Sequence, residues 1–220
     1  IGEPNASYGH MLPIGASNKY ALTQQVYTTD EFNHAAGKIW SIGFNTVKGN
    51  ISRHLSIYIT HTTNTGTWSY TPVTENDLYF SGDMYFKAGQ WNTIEFTKPF
   101  NYDGTSNLLI TICDDTGTKG DYSTLTNRFY APDGSQTIYA TNDEQAYDPT
   151  DANEGAEFTS ISGWKAQIQL TFTDCPTPSD VTVTDVADLS AQIQCSLRGD
   201  ATAWNLRFRE SIDGAPDDSW

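Results

Sequence analysis

Three cysteines in 220 residues are too few for a disulfide framework, and an odd number leaves at least one unpaired. Cys113 ends the apolar run Leu108-Leu-Ile-Thr-Ile-Cys113 and Cys195 alternates with Ala191 and Ile193, and both read as small buried hydrophobes. A Cys175–Cys195 pair is conceivable but not expected. Basic residues are also scarce: 12 Lys and Arg stand against 27 Asp and Glu, a net charge of −15. Such a surface repels phosphate backbones and anionic lipid, which argues against nucleic acid as a partner. No run of 18 apolar residues and no lipidation box occurs, so no membrane insertion is expected, and a processed exported chain reads the same way. Catalytic signatures are missing too. There is no Gly-x-Ser-x-Gly elbow, no His-Glu-x-x-His and no cysteine-protease pattern. The four histidines (His10, His34, His54, His61) lack metal spacing, and His54 and His61, seven apart on one strand, face opposite ways. The chain is therefore not expected to be an enzyme.

What the sequence does hold is aromatic bulk and a period of two. Six Trp, twelve Tyr and ten Phe supply large buried areas to a chain that is 37% hydrophobic. In Ser52–Thr60, Leu55, Ile57 and Ile59 fall on one face, with His54, Ser56, Tyr58 and Thr60 on the other, the pattern of a half-buried strand. Candidate strands are 20–26, 38–47, 52–61, 78–86, 91–96, 107–114, 126–131, 136–140 and 164–172. Turns rich in Gly, Asn and Asp separate them (Lys48-Gly-Asn50, Asp103-Gly104, Asp133-Gly134 among others). Many short strands so punctuated indicate an all-β, jelly-roll-like antiparallel sandwich. The only helix signal is a capping box at Thr28-Thr-Asp-Glu31, with no apolar stripe after it to sustain more than one turn. Residues 141–157 form a long acidic loop.

Residues 1–173 read as one domain and Asp174-Cys-Pro-Thr-Pro-Ser179 as a linker, with a new pattern from 180 to 220. In that last part Val181 and Val183 alternate, then Ala191, Ile193 and Cys195, then Trp204, Leu206 and Phe208. The run resembles strands A, B and C of a fibronectin type III domain, with Cys195 where such domains usually carry Trp. The pattern is still that of a strand at Asp217-Asp-Ser-Trp220, so the sequence reads as a fragment of a larger polypeptide with further domains.

The first part has its own likeness. Ala21–Thr28 leads into Ile39-Trp-Ser-Ile-Gly-Phe44 and Leu55–His61, followed by Phe80-Ser-Gly82, Ala88–Phe96 and Pro99–Leu109. This order resembles the cleaved-adhesin (gingipain haemagglutinin-type) β-sandwich modules of surface and secreted Bacteroidota proteins, in which fibronectin III repeats often follow. The resemblance implies an exported, extracellular or cell-surface bacterial protein that works in adhesion or substrate attachment. Its implied partners are a glycan or a surface protein. It also implies calcium pinning loops together.

Candidate sites follow from residue chemistry. Calcium takes six to eight oxygen ligands, and Asp103, Asp114 and Asp115, with Asp143, Glu144, Asp148, Asp151 and Glu154 of the acidic loop, supply them on loops. Asp114 and Asp115, with Asp121, are also the best carboxylates to name for a glycosidase, against the simpler reading that they cap turns. For sugar stacking, Trp68, Tyr70 and Tyr79 surround a Thr/Asn-rich turn, and Tyr122, Tyr130, Tyr139 and Tyr147 lie later. Trp40, Trp91 and Trp164 are expected in the core. Arg198-Gly-Asp200 reads as ordinary turn chemistry rather than an integrin motif. The expected function is a non-catalytic adhesion or binding module. The alternatives are a carbohydrate-binding module accessory to a hydrolase elsewhere, or a structural or assembly spacer.

Overall fold

Side chains alternate across a strand, so one buried set fixes which way a whole ladder faces. A computed structural model describes residues 1–2, 7–9, 12–32, 36–66, 69–121, 124–131, 134, 136–152, 159–161, 163–173, 179–187 and 190–196. The chain divides into two compact units, Ile1–Asp174 and Cys175–Trp220.

In the first unit the strands are, in chain order, β1 (Ser7–Gly9), β2 (Tyr20–Tyr27), β3 (Gly37–Lys48), β4 (Ile51–Thr62), β5 (Leu78–Phe86) and β6 (Gln90–Tyr102). They continue with β7 (Asn107–Asp114), β8 (Thr126–Tyr130), β9 (Thr137–Asn142), β10 (Thr159–Ile161), β11 (Lys165–Ala166) and β12 (Ile168–Phe172). A single helical turn, α1 (Thr29–Phe32), follows β2, and a 3-10 turn covers Glu75–Asp77. The capping box closes α1 as the sequence predicts: the Thr28 amide and hydroxyl both donate to Glu31 Oε2, at 2.7 and 3.1 Å.

Two six-stranded antiparallel sheets result. In the first, β1, β8, β3 and β12 lie side by side, with β11 on β8 and β6 on β3; the second runs β10-β9-β2-β7-β4-β5. The fold is thus the expected all-β sandwich. Ile42, Phe44, Ile94, Phe96 and Ile168 of the first sheet meet Tyr27, Leu55, Ile57, Phe86, Ile110 and Ile112 of the second, all at 2% exposure or less. Each such burial stabilises the fold by about 1.5–3 kcal/mol. The Lys48-Gly-Asn50 turn joins β3 to β4 with Asn50 at φ 73°. At Gly49 an added Cβ would lie 2.6 Å from the Phe86 carbonyl oxygen, so no other residue fits without backbone movement.

Several expectations need correction. β6 does not end at 96 but runs on through Pro99. Ile39 pairs with Phe100 and Ser41 with Glu95, so Pro99 sits in the irregularity between them, where the ladder asks no donor of it. Of the tryptophans expected in the core, Trp40 is 2% exposed, but Trp91 and Trp164 are 38% and 40% exposed. On β6 the inward set is Asn92, Ile94 and Phe96, which turns Trp91 outward. Trp164 precedes β11 and meets Phe129 edge-on at 4.5 Å.

In the second unit, β13 (Ser179–Ala187) and β14 (Ser190–Ser196) form an antiparallel hairpin in which Val183 pairs with Ile193. Val181, Val183, Val186 and Ile193 are exposed, and so is Cys195, against the expectation of burial; among the described residues no second layer covers the ribbon. Trp204, Leu206, Phe208 and the Arg198-Gly-Asp200 tripeptide lie outside the described residues, as does Cys175.

Candidate functional site

The Thr/Asn-rich segment leaving β4 runs past the turn that joins β6 to β7. Between them lies an open depression of about 360 Å³ lined by His61, Thr62, Thr63, Asn64 and Ser106. The turn that carries Ser106 is held by local bonds. Asp103 Oδ1 accepts the Thr105 and Ser106 amides, each at 2.8 Å, and Oδ2 accepts the Ser106 hydroxyl at 2.6 Å. That hydroxyl first, then the two amides, hold the Asp103 carboxyl well below the usual carboxylate range. The Asp103 amide donates to His61 Nε2 at 3.3 Å, which assigns the neutral ring's proton to Nδ1. The His61 ring packs on Phe100 at 4.7 Å and on Tyr102 at 6.1 Å between centroids. On the rim, Asn107 Nδ2 donates to the Asn64 carbonyl at 2.8 Å, while its Oδ1 accepts the Thr29 amide at 2.9 Å. The result is an array of two threonine hydroxyls, a serine hydroxyl, an asparagine amide and an imidazole edge, with the Asp103 carboxylate behind it holding the Ser106 turn. Such groups read a polar, hydroxyl-bearing ligand.

The residues expected to hold calcium do not converge. Asp103 precedes β7 and Asp114 ends it, so seven steps of about 3.3 Å, roughly 23 Å, separate the two ends. Asp114 is 1% exposed and faces Arg53: the guanidinium Nε donates to Oδ2 at 2.7 Å. Its Oδ1 accepts the Thr116 amide and hydroxyl, at 3.1 and 2.6 Å. Burial pushes the Asp114 carboxyl up, and the bonds from Arg53 and Thr116 pull against that. Asp115, just past the end of β7, is exposed, whereas Asp114 is buried against Arg53, so the two are not a facing pair of carboxylates. Asp121 is exposed in the turn that follows.

The acidic loop spends its carboxylates on its own chain. Asp143 accepts the Lys19 amide at 3.1 Å and pairs with Lys119. Asp148 Oδ1 accepts the Thr150 amide and hydroxyl, at 2.9 and 2.7 Å. Glu144 and Asp151 are exposed, and Glu154 lies outside the described residues. Among the described residues no group of three or more His, Cys, Asp or Glu side chains stands close enough to hold a metal ion.

The aromatics nominated for sugar stacking are placed differently from a platform. Tyr70 packs against the Leu22–Cys113–Ala140–Tyr147 cluster and donates its hydroxyl to the Pro149 carbonyl, so it fastens the acidic loop. Tyr79 is half-buried against Phe96 and Phe100, at 5.8 and 5.5 Å, with the Lys98 ammonium 4.8 Å above its ring. Trp68 and Tyr122 lie outside the described residues; Tyr130 and Tyr147 are buried and Tyr139 partly so. His54 and His61 do face opposite ways on β4: His54 Nδ1 lies 2.8 Å from Asp83 at the surface, while His61 packs on the core edge.

The sequence reading missed His61 as a lining residue, together with Asn64 and Ser106. It also missed a buried polar knot around Lys165, Glu31 and Gln136. The signal for the first is the Thr/Asn-rich turn itself, whose Asn and Thr side chains are the kind that read sugar hydroxyls. The fold and the depression define an antiparallel β-sandwich carrying a polar surface site. Compared with known protein families, with curated proteins and with solved structures, the chain matches none.

Proposed function

We propose that the first unit is a non-catalytic adhesion or binding module of a larger secreted or surface-attached bacterial protein, and that it takes a glycan or a surface protein in the His61 depression. The observation that carries this reading is the lining itself: hydroxyl, amide and imidazole groups from His61, Thr62, Thr63, Asn64 and Ser106, held by the Asp103 turn. Sugar hydroxyls are met by this kind of donor and acceptor set. The −15 net charge favours neutral or cationic ligands over polyanions. The resemblance to cleaved-adhesin modules supports an extracellular setting. No helix among the described residues is long and apolar enough to cross a membrane. A carbohydrate-binding role beside a hydrolase would use the same depression.

An assembly or spacer role has one observation in its favour. Val181, Val183, Val186 and Ile193 stand exposed on the β13–β14 hairpin, an apolar surface suited to a neighbouring domain.

A glycan array with the full chain, run in calcium and again in EDTA, tests the binding reading. Any hit is then titrated against Asn64→Ala and Thr63→Ala, both at exposed positions where the fold has little to lose. Binding that weakens about tenfold or more in Asn64→Ala supports the site, as one lost polar contact predicts. An empty array overturns the glycan as ligand, and a hit indifferent to both substitutions overturns the depression as its site.

A further inference from the structure

Lysine is almost never fully buried, yet Lys165 of β11 has a side chain at 0% exposure. Four segments close around its amine. Val26 at the end of β2 presents its carbonyl at 2.7 Å, and Glu31 of α1 presents Oε2 at 2.6 Å. The third partner is the side-chain amide oxygen of Gln136, just before β9. The rings of Tyr27 and Tyr130 flank the ammonium at 4.6 and 5.5 Å. Tyr130 donates its hydroxyl to Glu31 Oε1 at 2.7 Å, and Thr28 donates to Oε2, so the carboxylate is fixed beside the amine. Tyr27 is 0% and Gln136 7% exposed, which keeps bulk water out.

An amine in contact with both a carboxamide and a carboxylate at a largely buried site is the complete set of reactants for amide exchange. The amine touches the Gln136 oxygen, and the electrophilic Cδ lies one carbonyl bond beyond it, about 1.23 Å. We propose that the chain closes an intramolecular isopeptide bond between Lys165 Nζ and Gln136 Cδ, with Glu31 as the proton shuttle. The ammonium first loses one proton to solvent by way of the partly exposed Glu31 carboxylate; the neutral amine then attacks Cδ and a C–N bond forms. Glu31 takes a proton from the attacking nitrogen and delivers it to Nε2 of the former carboxamide. The Cδ–Nε2 bond breaks, ammonia leaves with its electron pair, and a secondary amide remains. No oxidant or outside reagent is needed. Burial favours the reactive form, lowering the Lys165 pKa to about 8 against the opposing pull of Glu31. The bond joins β11 of the first sheet to the start of β9 in the second.

The same three acceptors also suit an unreacted ammonium, and mass separates the two states. The full chain, denatured and measured intact, should weigh about 17 Da less than its sequence, the mass of one ammonia. Peptide mapping should return a branched peptide joining Gln136 to Lys165, with no tryptic cleavage after Lys165. Glu31→Gln should keep the sequence mass. A wild-type chain at its sequence mass overturns the proposal, as does an ammonia loss mapped to an asparagine-derived succinimide. A Glu31→Gln chain that links to the wild-type extent removes Glu31 from the mechanism. Should that variant fail to fold, the wild-type map decides the bond by itself.

Discussion

Breaking the Arg53–Asp114 pair should cost the first unit far more than the pair is worth as a stabilising contact. Both side chains are essentially inaccessible, at 0% and 1%. The guanidinium makes three bonds: to Asp114 at 2.7 Å, to the Thr118 carbonyl at 2.7 Å and to the Asn18 carbonyl at 3.0 Å. Asp114→Asn keeps the volume and the Thr116 contacts but strands a buried cation with two neutral carbonyls. Removing one member of a buried pair costs about 3–5 kcal/mol, and the surviving carbonyl partners favour the lower end. A loss of about 3 kcal/mol lowers the Tm of a unit this size by roughly 6–12 °C. Arg53→Met should be milder, because burial already raises the Asp114 pKa and the stranded carboxyl can take up a proton. A carboxyl whose folded pKa is raised binds its proton more tightly in the native state, so stability falls as pH rises through that pKa. The Arg53→Met deficit should therefore narrow as the solution is acidified into the carboxylate range. Urea unfolding of the two single variants and the double variant completes the cycle, with the double losing clearly less than the sum. An Asp114→Asn loss below about 1 kcal/mol, or additivity within about 0.5 kcal/mol, would refute the argument.

Two further outcomes rest on single geometries. Gly49→Ala pushes a Cβ to 2.6 Å from the Phe86 carbonyl oxygen, and the backbone shift this forces should cost about 1–3 kcal/mol in urea unfolding; a change under about 0.5 kcal/mol would mean the β3–β4 turn yields freely. In a carbon-detected NMR titration the Asp103 carboxyl should titrate below the usual range, because the Ser106 hydroxyl and two amides favour its charged form. Ser106→Ala should move that midpoint up, and any small stability it carries is present above the unfolded pKa and lost as pH falls. An unmoved midpoint would show that the turn amides alone set the pKa.

How much of this was legible beforehand follows from the length of the pattern each feature leaves. The strands at the sandwich centre were readable because alternation is local: Leu55, Ile57 and Ile59 announce β4 without any partner strand. The capping box at Thr28–Glu31 was equally local. β1 and β10, three residues each, leave too short a pattern to count, and β6 hid its second half behind Pro99 because a proline argues against a strand unless a bulge excuses it. The tryptophans misled because their size suggests the core, whereas the register of Asn92, Ile94 and Phe96 decides that Trp91 points out.

The buried charged residues were harder for a different reason: a charged side chain belongs at the surface by type, and only register says otherwise. Arg53 occupies the same face of β4 as Leu55, Ile57 and Ile59, so alternation already places it inward and calls for a buried acid on the neighbouring strand. Asp114 is that acid, directly across from Leu55 on β7, and its assignment to an ion followed from reading it by type and not by register. Lys165 gives the same lesson. It precedes Ala166 and Ile168, which are buried, and strand parity alone would put it on the other face, yet it too is enclosed because β11 lies beneath Tyr130 and α1. Only the three-dimensional meeting of β2, α1, β8 and the segment before β9 shows that its amine has a carboxylate and a carboxamide in reach.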